Sequence, residues 1–146
     1  MNNLPKVLMI DDEPDILQVV GMLLAGQGFE IEKASSGAEA LKMMAEKAYD
    51  LVVCDYLMPK MDGIQLLKTV RGRGDLTSFV FFSGNADDTH EVKMTGLGAY
   101  QLVPKTQLMQ LASVLHQTIK KDAQLREIKM DKTQESKDFL KLLHSA

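Results

Sequence analysis

Apolar and polar positions along this chain switch between two rhythms. Val7-Leu8-Met9-Ile10 is a continuous apolar run that stops abruptly at Asp11-Asp12-Glu13, as a strand buried on both faces does. Pro14 suits the first position of a helix, and Ile16, Leu17, Val20, Leu23 and Leu24 then recur at helical spacing until Gly26 and Gly28. Residues 29–34 alternate and read as a second strand. Ser35 or Ser36 can cap a second helix whose apolar face is Ala40, Leu41, Met44 and Ala45. Leu51-Val52-Val53-Cys54 is a third strand that again ends on an acid, Asp55. A loop with Pro59 and the turn pair Asp62-Gly63 leads to a helix carrying Ile64, Leu66, Leu67 and Val70, which Arg71-Gly72-Arg73-Gly74 breaks. Phe79-Val80-Phe81-Phe82 is the fourth strand and ends on Ser83-Gly84. Residues 87–97 make a polar fourth helix, residues 100–103 a fifth strand ending at Pro104-Lys105, and Leu108, Leu111, Ala112, Leu115 and Ile119 a fifth helix.

Strands that alternate with helices predict a parallel sheet covered on both faces. Right-handed crossovers leave few topologies, and five such units point to a doubly wound, flavodoxin-like (βα)5 sandwich of strand order 2-1-3-4-5. The expected organisation is one domain over residues 1–121 and a helical extension or linker over 122–146, too short for a separate output domain.

Composition narrows the function classes. A formal net charge of -3 gives no basic surface of the kind that displaces counterions from nucleic acid. No apolar run reaches bilayer length, and the first residues lack the charged-then-apolar order of a signal peptide. The lone Cys54 makes no internal disulfide and no Cys/His pair has zinc spacing, so the cytoplasm is the default location.

The chemistry collects at the carboxyl ends of the strands, where open parallel sheets bind ligands near the reversal of strand order. Strand one ends in Asp11-Asp12, strand three in Asp55, strand four in Ser83, and Lys105 follows strand five. Strands one and three are neighbours in the proposed order, so three carboxylates converge and call for a cation or a proton between them. Oxygen ligands completed by water suit Mg²⁺. Taken singly, each residue has an ordinary reading as a cap, a turn residue or a surface charge. Taken together at one edge, the carboxylates, hydroxyl and lysine describe a site for a metal-bound phosphoryl group.

These residues also carry a resemblance. Met9-Ile10-Asp11-Asp12-Glu13, the block from Val53-Cys54-Asp55 through Met58-Pro59-Lys60-Met61-Asp62-Gly63, Phe82-Ser83-Gly84 and Pro104-Lys105 resemble the signature blocks of response regulator receiver domains, over roughly residues 5 to 121. The resemblance implies a phosphoacceptor signalling domain of a two-component phosphorelay rather than an enzyme. It makes Asp55 the phosphoacceptor. Asp11, Asp12, Asp55 and the backbone carbonyl of Leu57 become Mg²⁺ ligands, and Lys105 and Ser83 become partners of the phosphoryl oxygens. Leu57 and Asn85 would tune the lifetime of the acyl phosphate, and apolar Leu57 implies modest autodephosphorylation. The implied donor is a histidine kinase or histidine phosphotransfer protein. The implied readout is a protein target on the fourth helix, fifth strand and fifth helix, with neither nucleic acid nor membrane contacted directly.

Two departures bear on the switch. The family's aromatic three positions before the lysine is Leu102 here, and Tyr100 is out of register by two, about 7 Å along a strand. Thr106, not proline, follows Lys105. In the tail, 131–136 reads as a polar hinge and Phe139, Leu142 and Leu143 as an apolar patch. A homodimer is one possible assembly, though a heptad seam from Leu108 to Leu125 is interrupted at Thr118 and Asp122. Arg71-Gly72-Arg73-Gly74 reads as a solvated turn, and His90, His116 and His144 as scattered surface residues. The competing readings are the receiver portion of a longer regulator with a catalytic or DNA-binding output, a phosphatase using Asp55 as nucleophile, and an unphosphorylated adaptor.

Overall fold

The computed structural model describes residues 3–84, 96–99 and 101–145. Three apolar runs form β1 (Lys6–Ile10), β3 (Leu51–Cys54) and β4 (Phe79–Ser83), and two mixed segments form β2 (Glu30–Ala34) and β5 (Gln101–Pro104). All pair in parallel in the order β2-β1-β3-β4-β5, the predicted doubly wound sheet. Helices α1 (Pro14–Ala25), α2 (Gly37–Glu46), α3 (Gly63–Gly72) and α4 (Leu108–His144) cover it. Of the fourth helix predicted over 87–97, only Gly96 and Leu97 are described. His90, Asn85 and Tyr100 lie outside the described residues.

Strand alternation divides the core into two layers. Leu8, Ile10, Val52, Cys54, Phe79 and Phe81 pack on one face with residues of α2 and α3. Val7, Met9, Leu51, Val53, Val80 and Phe82 pack on the other with α1 and the first turns of α4. Burial on both faces explains why β1, β3 and β4 are unbroken apolar runs, while the edge strands β2 and β5 admit Glu, Lys and Gln.

Arg71 departs from the predicted solvated turn. It lies within α3, and its guanidinium donates to the Asp75 and Thr77 carbonyls at 2.9 Å each and to the Leu97 carbonyl at 3.3 Å. It also sits 5.6 Å from the Phe79 ring centroid, so it ties the end of α3 to the neck of β4. His116, exposed as expected, stacks on Phe29 with ring centroids 4.3 Å apart.

The predicted hinge at 131–136 is not a hinge. Helix α4 runs unbroken for 37 residues, about 55 Å at 1.5 Å per residue. Residues 108–144 contain neither Gly nor Pro and are rich in Lys, Gln and Leu, good helix formers whatever their polarity. Polarity there marks the lack of a core to pack on, not a break. Thr118 is the last buried residue of α4. Among the described residues, no helix is long and apolar enough to cross a membrane.

Candidate metal centre

The site is assembled by ladder hydrogen bonds that align the end of β1 with those of β2 and β3. The Asp55 amide donates to the Ile10 carbonyl at 2.9 Å, and the Asp11 amide donates to Ala34 at 3.2 Å. Both acids therefore leave the sheet side by side at the point where strand order reverses. One carboxylate oxygen each from Asp11, Asp12 and Asp55 lies within 4.8 Å of the others. Asp11 is 1% and Asp55 5% exposed, whereas Asp12 faces solvent. A second oxygen of Asp11 accepts from the Glu13 amide at 2.9 Å, fixing its rotamer at the mouth of α1.

Lys105 enters from the far side. It follows β5 in a short 3₁₀ turn (Lys105–Gln107). Its ammonium stands 2.9 Å from Asp11 Oδ2, 3.3 Å from Asp55 Oδ2 and 3.7 Å from Glu13 Oε1. Ser83, the buried last residue of β4, is in register with Pro104, one step from the lysine along the same edge. Leu57 lies two residues beyond Asp55 with its side chain half exposed. Leu102 is partly buried and packs on the α2–α3 layer. The edge thus gathers Asp11, Asp12, Asp55, Ser83 and Lys105, as expected from strand order.

Two contributors were not singled out from the sequence. Glu13 adds a third carboxylate within reach of Lys105, beside Asp11 and Asp55; its signal was its place in the Asp11-Asp12-Glu13 run. Gly63 sets the spacing of α3 against the site. Its amide donates to the Tyr56 carbonyl at 2.8 Å, and a Cβ there would sit 2.6 Å from both the Asp55 carbonyl oxygen and a Phe81 ring carbon. The helix start is fixed by a reciprocal capping box: Asp62 accepts from the Gln65 amide at 2.8 Å, and the Gln65 side chain accepts from the Asp62 amide at 2.9 Å.

The electrostatics follow from crowding. Burial, then the Asp11 charge, push the Asp55 carboxyl above its ordinary value, and Lys105 only partly reverses this. Burial pulls the Lys105 ammonium down, but hydrogen bonding and charge from Asp11 and Asp55 outweigh it and lift the pKa above the usual lysine value. Burial and the same carboxylates raise the Cys54 thiol well above its ordinary range, so it is a packing residue and not a thiolate nucleophile. Four carboxylates against one lysine leave a formal charge of -3 at this edge. An all-oxygen, partly open cluster of this kind fits a hard divalent cation such as Mg²⁺. Lys105 would face any anion that such a cation carries in.

Comparison with known proteins agrees with this fold. Residues 7–116 match the family model described as response regulator receiver domain. The chain is 34% identical over 100 residues to the transcriptional regulatory protein CpxR homolog of Haemophilus influenzae, covering 68% of this chain and 43% of that protein. It is 34% identical over 119 residues to the sensor kinase CckA of Brucella abortus, covering 79% of this chain and 12% of the relative. It thus spans less than half the length of these curated relatives. Among solved structures, a response regulator receiver domain protein from Clostridium thermocellum superposes with a TM-score of 0.77 at 29% identity, covering 84% of this chain and 99% of that one.

Proposed function

The chain belongs to the response regulator receiver domain family, a family of signalling domains, and on that premise we propose that Asp55 is its phosphoacceptor. The observation that carries this reading is the triangle of Lys105 with Asp11 and Asp55, at 2.9 and 3.3 Å, with Asp12 in ligand reach. One Asp55 carboxylate oxygen attacks the phosphorus of a phosphohistidine on a partner kinase or phosphotransfer protein. The new O–P bond forms as the N–P bond breaks, and the electron pair leaves on the imidazole nitrogen, which takes up a proton. Asp11, Asp12, Asp55 and the Leu57 carbonyl would hold Mg²⁺, which supplies charge neutralisation to the phosphoryl oxygens. Lys105 exchanges its Asp55 contact for those oxygens, and the Ser83 hydroxyl hydrogen-bonds one of them.

Readout follows from the same two residues. Drawing Ser83 and Lys105 toward the phosphoryl group would bias a two-state equilibrium in the elements after β4 and around β5, where a protein target binds. Leu102 replaces the aromatic that usually moves with this switch, so the bias would be carried by backbone and aliphatic packing. The protein acts in the cytoplasm on this reading. The lengths of the curated relatives favour a second reading of the whole protein, in which this receiver is one portion of a longer regulator; the complete reading frame decides that.

Incubation with a small phosphodonor and Mg²⁺, followed by intact mass, tests the assignment. A single phosphate adduct absent from Asp55→Asn is expected. Absence of an adduct in the wild type under every donor would leave an adaptor that keeps only the fold.

A further inference from the structure

Helix α4 continues far past the last residue it buries in the domain, and what it displays there has a symmetry. Leu125, Ile128, Phe139 and Leu142 are 54%, 51%, 62% and 70% exposed. Together with Lys132 and Glu135 they occupy positions 125, 128, 132, 135, 139 and 142, the alternating three- and four-residue spacing of a two-helix seam. Read in order, the stripe is Leu, Ile, Lys, Glu, Phe, Leu. Turned end for end it meets itself with apolar on apolar and Lys on Glu.

We propose that this stripe of α4 is a self-association surface, pairing antiparallel with the same stripe of a second copy of the chain. Leu125 then faces the second copy's Leu142, Ile128 faces its Phe139, and Lys132 faces its Glu135. Symmetry repeats each contact, giving four apolar layers around two oppositely charged ones along about 26 Å of helix. A parallel pair would instead stack Lys132 on Lys132 and Glu135 on Glu135, placing two like-charge layers at its centre. Charge complementarity thus selects both the occupant and its direction. Asp131 and Asp138 flank one edge and repel across it, a small cost for solvent-exposed charges.

The base of the domain fits the same arrangement. Leu125 lines an open cleft of about 360 Å³ together with Leu76, Tyr49 and Asp122, and Leu76 is 77% exposed. An antiparallel partner brings the end of its helix, with Leu142 and the 58% exposed Leu143, beside Leu125 and toward this cleft. The surface therefore continues from helix to domain, which a helix–helix seam alone would not require. The pairing needs no phosphoryl group, so it stands or falls apart from the role of Asp55.

Sedimentation of the full 146-residue chain over about 1–100 µM, without phosphodonor, is the test. A monomer–dimer equilibrium is expected. Lys132→Glu, an exposed exchange between two good helix formers, should weaken it about tenfold or more by opposing Glu135 across the seam. The double variant Lys132→Glu/Glu135→Lys should restore it. Direction is read by oxidation, since the native Cys54 is buried. Ile128→Cys mixed with Phe139→Cys should give a mixed disulfide, whereas Ile128→Cys alone should not couple to itself. A chain monomeric throughout, a dimer indifferent to Lys132→Glu, or efficient coupling of Ile128→Cys to itself would each overturn the proposal.

Discussion

Substituting Gly63 by alanine tests how closely α3 is set against the strand that ends at Asp55. The new Cβ would lie 2.6 Å from the Asp55 carbonyl oxygen, 2.6 Å from Phe81 Cε1 and 3.2 Å from Cδ1. Neither neighbour is free to yield. The Asp55 carbonyl is backbone and accepts from the Cys54 thiol at 3.2 Å, and Phe81 is fully buried in the core. Relief to ordinary contact needs a shift of about 0.8 Å in the start of α3, and overpacking of this kind costs about 1–3 kcal/mol. Gly→Ala returns about 0.4–1 kcal/mol through the unfolded chain. The net is a loss of about 1–2 kcal/mol, or a melting temperature lower by roughly 3–6 °C for a chain of this size.

Gly72 supplies the control, because it closes the same helix and a Cβ there meets nothing within 4 Å. Gly72→Ala should be neutral or stabilising by about 0.4–1 kcal/mol. Gly37→Ala marks the intermediate case, since its 2.7 Å contact is the Met61 sulfur, on a flexible side chain that can swing away. Thermal melts of the three variants give the ranking, and phosphorylation by a small donor gives the effect on the site. Displacing Asp55 relative to Lys105 by a fraction of an ångström should slow acceptance by about tenfold or more. A Gly63→Ala protein as stable as Gly72→Ala would refute the steric argument. Normal phosphorylation in a destabilised Gly63→Ala would refute the link between helix placement and the acceptor.

How much of this was legible beforehand depended on the kind of signal. The abrupt passage from Val7-Leu8-Met9-Ile10 to Asp11-Asp12, repeated at Cys54–Asp55, exposed both the strands and their reactive ends. Once the sheet order was inferred, convergence of these acids followed from topology. Lys105 was legible as a neighbour of the site, but not its closer approach to Asp11 than to Asp55, which depends on where the turn after Pro104 places a flexible side chain. Gly63 looked like a turn residue, because steric exclusion by Phe81 is a property of two distant segments. The tail misled for a related reason. Polarity without apolar periodicity over 131–136 resembles a hinge, yet helix propensity alone keeps α4 continuous there. Arg71 likewise hid its carbonyl partners, which lie on the strand neck and on the loop before β5.

The remaining expectations concern charge and metal. Asp12→Asn, at an exposed position, should leave the fold intact but abolish stabilisation by Mg²⁺, which in the wild type should reach about 2.7 kcal/mol at a hundredfold excess over Kd; calorimetric melts with and without Mg²⁺ check this. Asp55→Asn should raise the melting temperature at neutral pH in metal-free buffer. The raised Asp55 pKa means that the folded wild type binds protons more readily than the unfolded chain, so its stability falls as pH rises through that window. The gain from Asp55→Asn should therefore shrink on acidification toward the ordinary carboxylate range, and a gain independent of pH would refute the assignment. The phosphorylated form should decay slowly because Leu57 presents no polar group to an attacking water; a half-life of seconds would count against this.

The same electrostatics weigh against stability at the Asp55 edge. Lys105 lies closer to Asp11 than to Asp55, so the lysine does not fully offset the burial of the acceptor, and Asp55 keeps a pKa above the ordinary value. Moving the ammonium fully onto Asp55 would stabilise the resting protein, but it would also cover the oxygen that, on the proposed function, attacks phosphorus. Removing Asp11 would relieve Asp55 as well, at the cost of one carboxylate of the candidate metal site. What remains is a buried carboxylate held in place by the Ile10 ladder bond and left partly uncompensated. On the proposed function, a cation at the triad would lower its energy, and phosphoryl transfer would move its charge onto oxygens within reach of Lys105. On the proposed function, stability lost in the resting state would be the condition for binding metal and phosphoryl group at one edge.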